Sequence, residues 1–159
     1  MTVDDLLDAW QAGWSAQEPD AFARVCAPDV HYEDPLCSEP LSSPAEIATH
    51  ARRLWQMFPD VRVQTVGERL DDGRFVAAPV KLVGTHRGSR DDLPASNRFV
   101  VVHAVCYCEL DPPRERLWRV RAFFDVWGAA QQTGVLPKRG GFGERAFFMV
   151  RGFGLKGRG

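Results

Sequence analysis

Val61-Arg62-Val63-Gln64-Thr65 is the stretch at which the chain changes period. Val61, Val63 and Thr65 alternate with Arg62 and Gln64, so apolar side chains fall on every second residue, the pattern of a strand with one buried face. Before this point apolar residues recur every three or four positions; after it the two-residue period returns segment by segment to about Val126. Helices first and strands afterwards predict an α+β fold, in which N-terminal helices cover one face of a curved antiparallel sheet and enclose a cone.

Working back toward the N-terminus, Val3, Leu6, Leu7, Trp10 and Trp14 share one helical face over residues 3–16, with Thr2 as N-cap and Asp4 and Asp5 in the first turn. Pro19 and Asp20 open a short second helix that buries Phe22, Val25 and Cys26 and stops near Pro28. Val30-His31-Tyr32-Glu33-Asp34-Pro35 then reads as a short strand. Ser43-Pro44-Ala45-Glu46 is a capping box with proline at the first helical position. It starts a third helix with the stripe Ile47, Ala51, Leu54, Trp55 and Phe58, which Pro59 ends.

Working forward, Asp71-Asp72-Gly73 turns the chain into a strand from Phe75 to about His86, closing a hairpin. Residues 89–96 form a polar loop, Arg98 to Leu110 a long strand, and Asp111-Pro112-Pro113 a turn into the last strand, Leu117 to Val126. A short helix over Gly128 to Thr133 is ended by Gly134 and Pro137. Residues 1–137 thus form one domain. Residues 138–159 form a basic, glycine-rich extension around the apolar run Ala146-Phe147-Phe148-Met149-Val150. That extension suits packing over the cone's mouth or a dimer partner, with contact to an anionic membrane the less favoured use. Its glycine content argues against a stable isolated helix.

The composition narrows the partners. A chain of 159 residues, 45% hydrophobic with a formal net charge of -1, builds one core and carries no basic stripe for nucleic acid. A small molecule is the expected partner. No apolar run reaches the roughly 18 residues that span a bilayer and Met1 leads into an acidic helix, so the expected location is the cytoplasm. Cys26, Cys37, Cys106 and Cys108 are then expected as reduced thiols, the last two as small packers on one strand face. His31-x-Glu33 followed by Pro35-x-Cys37 echoes a zinc deaminase, but the second half of that motif, Pro-Cys-x-x-Cys, is missing, and neither metal nor cofactor is expected.

Within the short strand, Val30, Tyr32 and Asp34 share a face. A carboxylate beside valine and tyrosine is desolvated, which predicts a raised basicity for Asp34. Trp10, Trp14, Trp55 and Phe58 on the covering helices, with Tyr32, are wide aromatic groups fit to line a cavity for a flat apolar ligand; each also reads as ordinary core. His103 lies amid apolar residues in the long strand, where a buried ring calls for a carboxylate or a substrate oxygen. His31, Glu33 and His50 read as polar-face residues without chemistry.

The order helix, helix, short strand, helix and four long strands resembles the nuclear-transport-factor-2-like fold over about residues 3–137. Tyr32-Glu33-Asp34-Pro35 with Ser38-Glu39-Pro40 is similar to the ketosteroid isomerase segment in which the aspartate of Glu-Asp-Pro removes a proton beside a carbonyl. Asp125, Gln132 and Gly134 resemble the end of the SnoaL-like polyketide cyclases. The resemblance implies a cofactor-free acid/base enzyme, isomerase or cyclase, acting on a hydrophobic carbonyl compound such as a steroid or polyketide. Asp34 would be its base, with Asp125 or His103 as acid or orienting group, in a homodimer joined through the outer sheet face. The chain departs from the isomerases in two places: its first helix has Trp10 and Trp14 but no tyrosine, and its third long strand offers His103 or Cys106 where they carry an aspartic acid. The epoxide hydrolases of this fold use Arg-x-Asp on a strand, whereas Arg90-Asp91-Asp92 falls in a loop. A non-catalytic ligand-binding or dimerisation module is the competing expectation, since a fold does not fix a function.

Overall fold

The computed structural model describes residues 1–89 and 93–150. Helix α1 spans Val3–Ala16 and starts on a complete capping box: Asp5 N–H donates to the Thr2 hydroxyl and Thr2 N–H donates to the Asp5 carboxylate. Its stripe Leu6, Leu7, Trp10 and Trp14 is buried, and Gln11 with it. Helix α2, Ala21–Val25, crosses α1 at Gly13, where a Cβ would stand 2.8 Å from the Ala21 Cβ. Only a glycine admits that approach.

The second helix ends at Val25, short of Pro28, because the chain passes directly into strand β1, Cys26–Glu33. The β1 register shifts between Cys26 and His31, around a proline that has no N–H to give to a ladder. Helix α3, Pro44–Met57, is capped by the Ser43 hydroxyl, which accepts from Glu46 N–H. The Glu46 carboxylate reaches back to Ser42 N–H at 2.7 Å rather than to the cap residue itself. At the other end, Arg87 and Gly88 N–H both donate to the Met57 carbonyl.

Strands β2 (Arg62–Thr65), β3 (Leu70–Asp71), β4 (Phe75–Thr85), β5 (Phe99–Leu110) and β6 (Leu117–Phe124) complete a curved, unclosed sheet of order β1-β6-β5-β4-β2, with β3 paired to β4. The pairings are antiparallel except that β1 runs parallel to β6. The fold is the expected α+β arrangement of N-terminal helices on a curved sheet. Helix α4, Val126–Thr133, packs on β5. There the Gln132 amide pairs with Val101, accepting from its N–H at 2.8 Å and donating to its carbonyl at 2.9 Å, so one side chain imitates the next strand where β6 has already ended. Helix α5 covers Phe142–Val150, despite the neighbouring glycines. Arg90, Asp91, Asp92, Arg151, Lys156 and Arg158 lie outside the described residues, and no described helix is long and apolar enough to cross a membrane.

Strand register decides where the interior is solid and where it is hollow. Val76, Cys108 and Val120 form one row across β4, β5 and β6 and are at most 1% exposed. The next inward-facing row is Ala78, Cys106 and Ala122. Three small side chains in line cannot reach the helices above them. Space opens there.

Candidate active site

That space is a cavity of about 440 Å³, within the range of small-molecule sites. Its floor is Ala78, Cys106 and Ala122 with Val80, Val102 and Ala104; its walls are Leu7, Trp10, Gln11 and Trp14 of α1, His50 and Leu54 of α3 with its C-cap Phe58, and Ala129, Ala130 and Thr133 of α4. Tyr32 and Asp34 close it at the end of β1. Of the aromatic residues expected to line it, Trp10, Trp14, Tyr32 and Phe58 do. Trp55 lies in the core instead: it stacks on Phe22 and its indole N–H donates to the Trp14 carbonyl at 2.9 Å. A ring anchored on two sides by α1 and α2 is turned away from the hollow.

Asp34 stands where the β1 face meets the cavity, with its side chain 6% exposed. The Leu41 backbone bridges Tyr32 in both directions, which folds the following loop back and pins the strand end. Four donors converge on the carboxylate. Leu36 and Cys37 N–H bind Oδ1 at 2.7 and 3.2 Å, while the Tyr32 hydroxyl and His50 Nε2 lie 2.8 and 2.7 Å from Oδ2. Burial pushes the Asp34 carboxyl up, but the hydrogen bond and charge of His50, the Tyr32 hydroxyl and the Leu36 N–H together outweigh it and hold the group below its ordinary value. This corrects the expectation of a raised basicity. The sequence shows the apolar face of the strand, not the donors that fold onto it. Tyr32 moves the other way: burial first, then the Asp34 charge, raise the phenol far above its usual range, so it remains a donor.

The sequence reading puts His50 on the polar face of α3, and the structure corrects this. Its side chain is 13% exposed, it lines the cavity and it lies 2.7 Å from Asp34. A signal for it exists in the sequence: position 50 lies three residues after Ile47 and four before Leu54, on the apolar stripe itself.

The other two predicted chemical residues lie elsewhere. His103 is exposed on the outer sheet face, opposite Lys81. The inner face takes Val100, Val102, Ala104 and Cys106, because the alternation on β5 is decided by which side the helices cover. Asp125 is the N-cap of α4, its carboxylate accepting from Gly128 N–H at 2.9 Å, with its side chain 63% exposed and outside the cavity lining. Asp34 and Asp125 therefore do not share the chamber.

Asp34, Cys37 and His50 bring a carboxylate oxygen, a thiol sulfur and a ring nitrogen within 4.8 Å of one another. Burial pushes the Cys37 thiol up to about 11, and the Asp34 oxygen is already engaged by Tyr32 and His50, so the trio suits hydrogen bonding better than a divalent cation. All four cysteines are free; burial raises Cys26 to about 12 and Cys106 to about 11, and Cys108 well above its ordinary value. None is an activated nucleophile. Chemically, the site offers a fixed anion with an imidazole against it, beside an apolar chamber.

Comparison with known proteins agrees with the fold. The model of the SnoaL-like polyketide cyclase family matches residues 4–133. Among solved structures, a protein of ketosteroid isomerase-like fold from Catenulispora acidiphila, in complex with trimethylamine, superposes with a TM-score of 0.69 at 18% identity, covering 84% of this chain and 95% of that one. A SnoaL-like protein from Jannaschia sp. CCS1, provisionally assigned as a polyketide cyclase, gives 0.72 at 20% identity over 85% and 92%. IdmH from Streptomyces antibioticus, with the same provisional assignment, gives 0.72 at 15% identity over 84% and 99%. At these identities the likeness establishes the fold. No curated relative matches the chain.

Proposed function

This chain belongs to the SnoaL-like polyketide cyclase family, and from that premise we propose that it moves a proton on a hydrophobic, carbonyl-containing small molecule without a cofactor. Family membership supports a cyclase or isomerase type of reaction. One observation carries the finer reading: a carboxylate only 6% exposed, hydrogen-bonded to a histidine, at the wall of a 440 Å³ chamber whose lining is mostly apolar.

The roles follow from the bonding. Asp34 accepts on both oxygens from four donors, which makes it a fixed charge rather than a free base. It orients His50 through Nε2, leaving Nδ1 as the ring's proton acceptor, and it steadies the imidazolium that forms when the ring takes a proton. His50 then removes the proton from the carbon beside the carbonyl and returns it elsewhere on the substrate. Isomerisation and aldol cyclisation both begin with that step. The same chamber without proton transfer would be a ligand-binding module.

Exchange of the methyl protons of 2-acetylnaphthalene in D2O, followed by NMR, separates these. The enzyme reading expects exchange above the buffer rate, reduced about 10²- to 10⁴-fold by His50→Gln, the usual span for loss of a general base. Binding without exchange establishes the module. Wild-type exchange in His50→Gln, with loss only in Asp34→Asn, makes Asp34 itself the base.

The outer sheet face supports a homodimer. Phe99, Val105, Tyr107 and Phe123 are 63%, 40%, 42% and 56% exposed there, and Val105 and Phe123 are register partners on neighbouring strands.

A further inference from the structure

Gln11 is the buried polar group of the chamber that proton transfer leaves without a task. It is 7% exposed, lies on α1 between Trp10 and Trp14, and lines the cavity. Its amide is held in one orientation from behind. The Thr65 hydroxyl donates to Gln11 Oε1 at 3.0 Å, and the same hydroxyl oxygen accepts from Arg69 Nη2 at 3.5 Å. A guanidinium only donates, so this contact leaves the hydroxyl's one proton for the amide oxygen. Arg69 is itself fixed by Asp4 and Asp8, the exposed acids of α1. The chain of contacts runs from the surface to the chamber and turns the amide oxygen into the wall.

The Gln11 NH2 is left over. It donates to no described residue, and because it is not sealed from solvent it is open to the chamber that Gln11 lines. Of the other polar groups of the lining, the Tyr32 hydroxyl and His50 Nε2 serve Asp34 and the Thr133 hydroxyl donates to the Ala130 carbonyl, while Arg53 is exposed and His50 Nδ1 is the acceptor in the proposed proton transfer. A neutral NH2 in an apolar chamber is matched by an uncharged acceptor oxygen. It also gains strength if that oxygen acquires negative charge, as a carbonyl does when the carbon beside it loses a proton.

We infer that Gln11 is the group that binds the ligand's carbonyl oxygen, positioned by the Thr65 and Arg69 relay. The inference deepens the proposed function and rests on its reading of the chamber as a site for carbonyl compounds. The substrate class is thereby narrowed to molecules that present an acceptor oxygen to α1 while the acidic carbon faces His50.

The test uses 2-acetylnaphthalene carrying a 13C carbonyl, bound to the full chain, with its carbonyl stretch read by infrared difference spectroscopy. In the wild type the band is expected at lower wavenumber than in alkane solvent. In Gln11→Leu it is expected to move back toward the alkane position, with binding weaker by about tenfold, the equivalent of one neutral hydrogen bond. Thr65→Val keeps the amide but removes the hydroxyl that aims it, and is expected to give a broadened, less shifted band; it carries the test if Gln11→Leu does not fold. A wild-type band at the alkane position, the same shifted band in wild type and variants, or no binding of the ketone overturns the inference. A shifted, Gln11-dependent band without proton exchange upholds it and overturns the proton-transfer reading instead.

Discussion

The Asp34 carboxylate joins β1 to α3 through one hydrogen bond network, and its titration should be visible in stability. Its folded value lies below the ordinary 3.8, so the stabilisation it supplies is complete above that pH and is lost as pH falls through the lower folded value. Urea unfolding from pH 6 down to pH 2 is expected to show a steeper acid loss in the wild type than in Asp34→Asn. At pH 7 the variant should be less stable by about 1.5–3 kcal/mol, the usual worth of hydrogen bonds to a charged group. Equal acid slopes would mean that the carboxylate is not held by its four donors. At this scale the sequence was partly legible. Asp34 is identifiable from its face and its flanking residues, whereas His50 and Gln11 each interrupt an apolar helical stripe and pass for surface residues unless the spacing is applied to them as well: Gln11 lies four after Leu7 and three before Trp14.

Among the elements, α3 carries half of the dyad, and its two ends differ in how far they can be read. The start is local chemistry: Ser43, Pro44 and Glu46 announce it, and they cap it. The end depends on a distant segment, since Arg87 and Gly88 supply the N–H groups for the Met57 carbonyl. A Cβ on residue 88 would stand 1.6 Å from the Gln56 carbonyl oxygen, so backbone must move to accept any side chain. Gly88→Ala is expected to cost about 1–3 kcal/mol in thermal or urea unfolding, the range for overpacking. A neutral effect would show that this loop does not clamp the helix. Nothing around residues 86–88 in the sequence announces that contact, because the two segments are brought together only by the β4 strand that lies between them. The N-terminal limit of β1 was equally hidden: Pro28 reads as a helix stop, while the parallel partner that draws Cys26 into a strand is Leu117, far along the chain.

For the whole molecule, the helices cover one sheet face, and the other carries exposed apolar side chains among charged ones. The uncovered face is expected to join two copies, which sedimentation would detect as a dimer in the wild type and as a monomer after Val105→Lys with Phe123→Glu. A wild-type monomer would leave that face without the proposed partner. His103 shows why the distinction matters, since alternation assigns it to a face but does not say which face is inside. The order of helices and long strands as far as α4, the caps of α1 and α3 and the aspartate at the end of β1 all follow from the amino-acid sequence, because each rests on spacing or hydrogen bonding within a few residues. The empty row over Ala78, Cys106 and Ala122, the burial of His50 against Asp34 and the exposure of Asp125 follow only from the tertiary structure. Strand register and helix placement bring together residues that local patterns leave uncoupled, and the chamber exists only where those two choices meet.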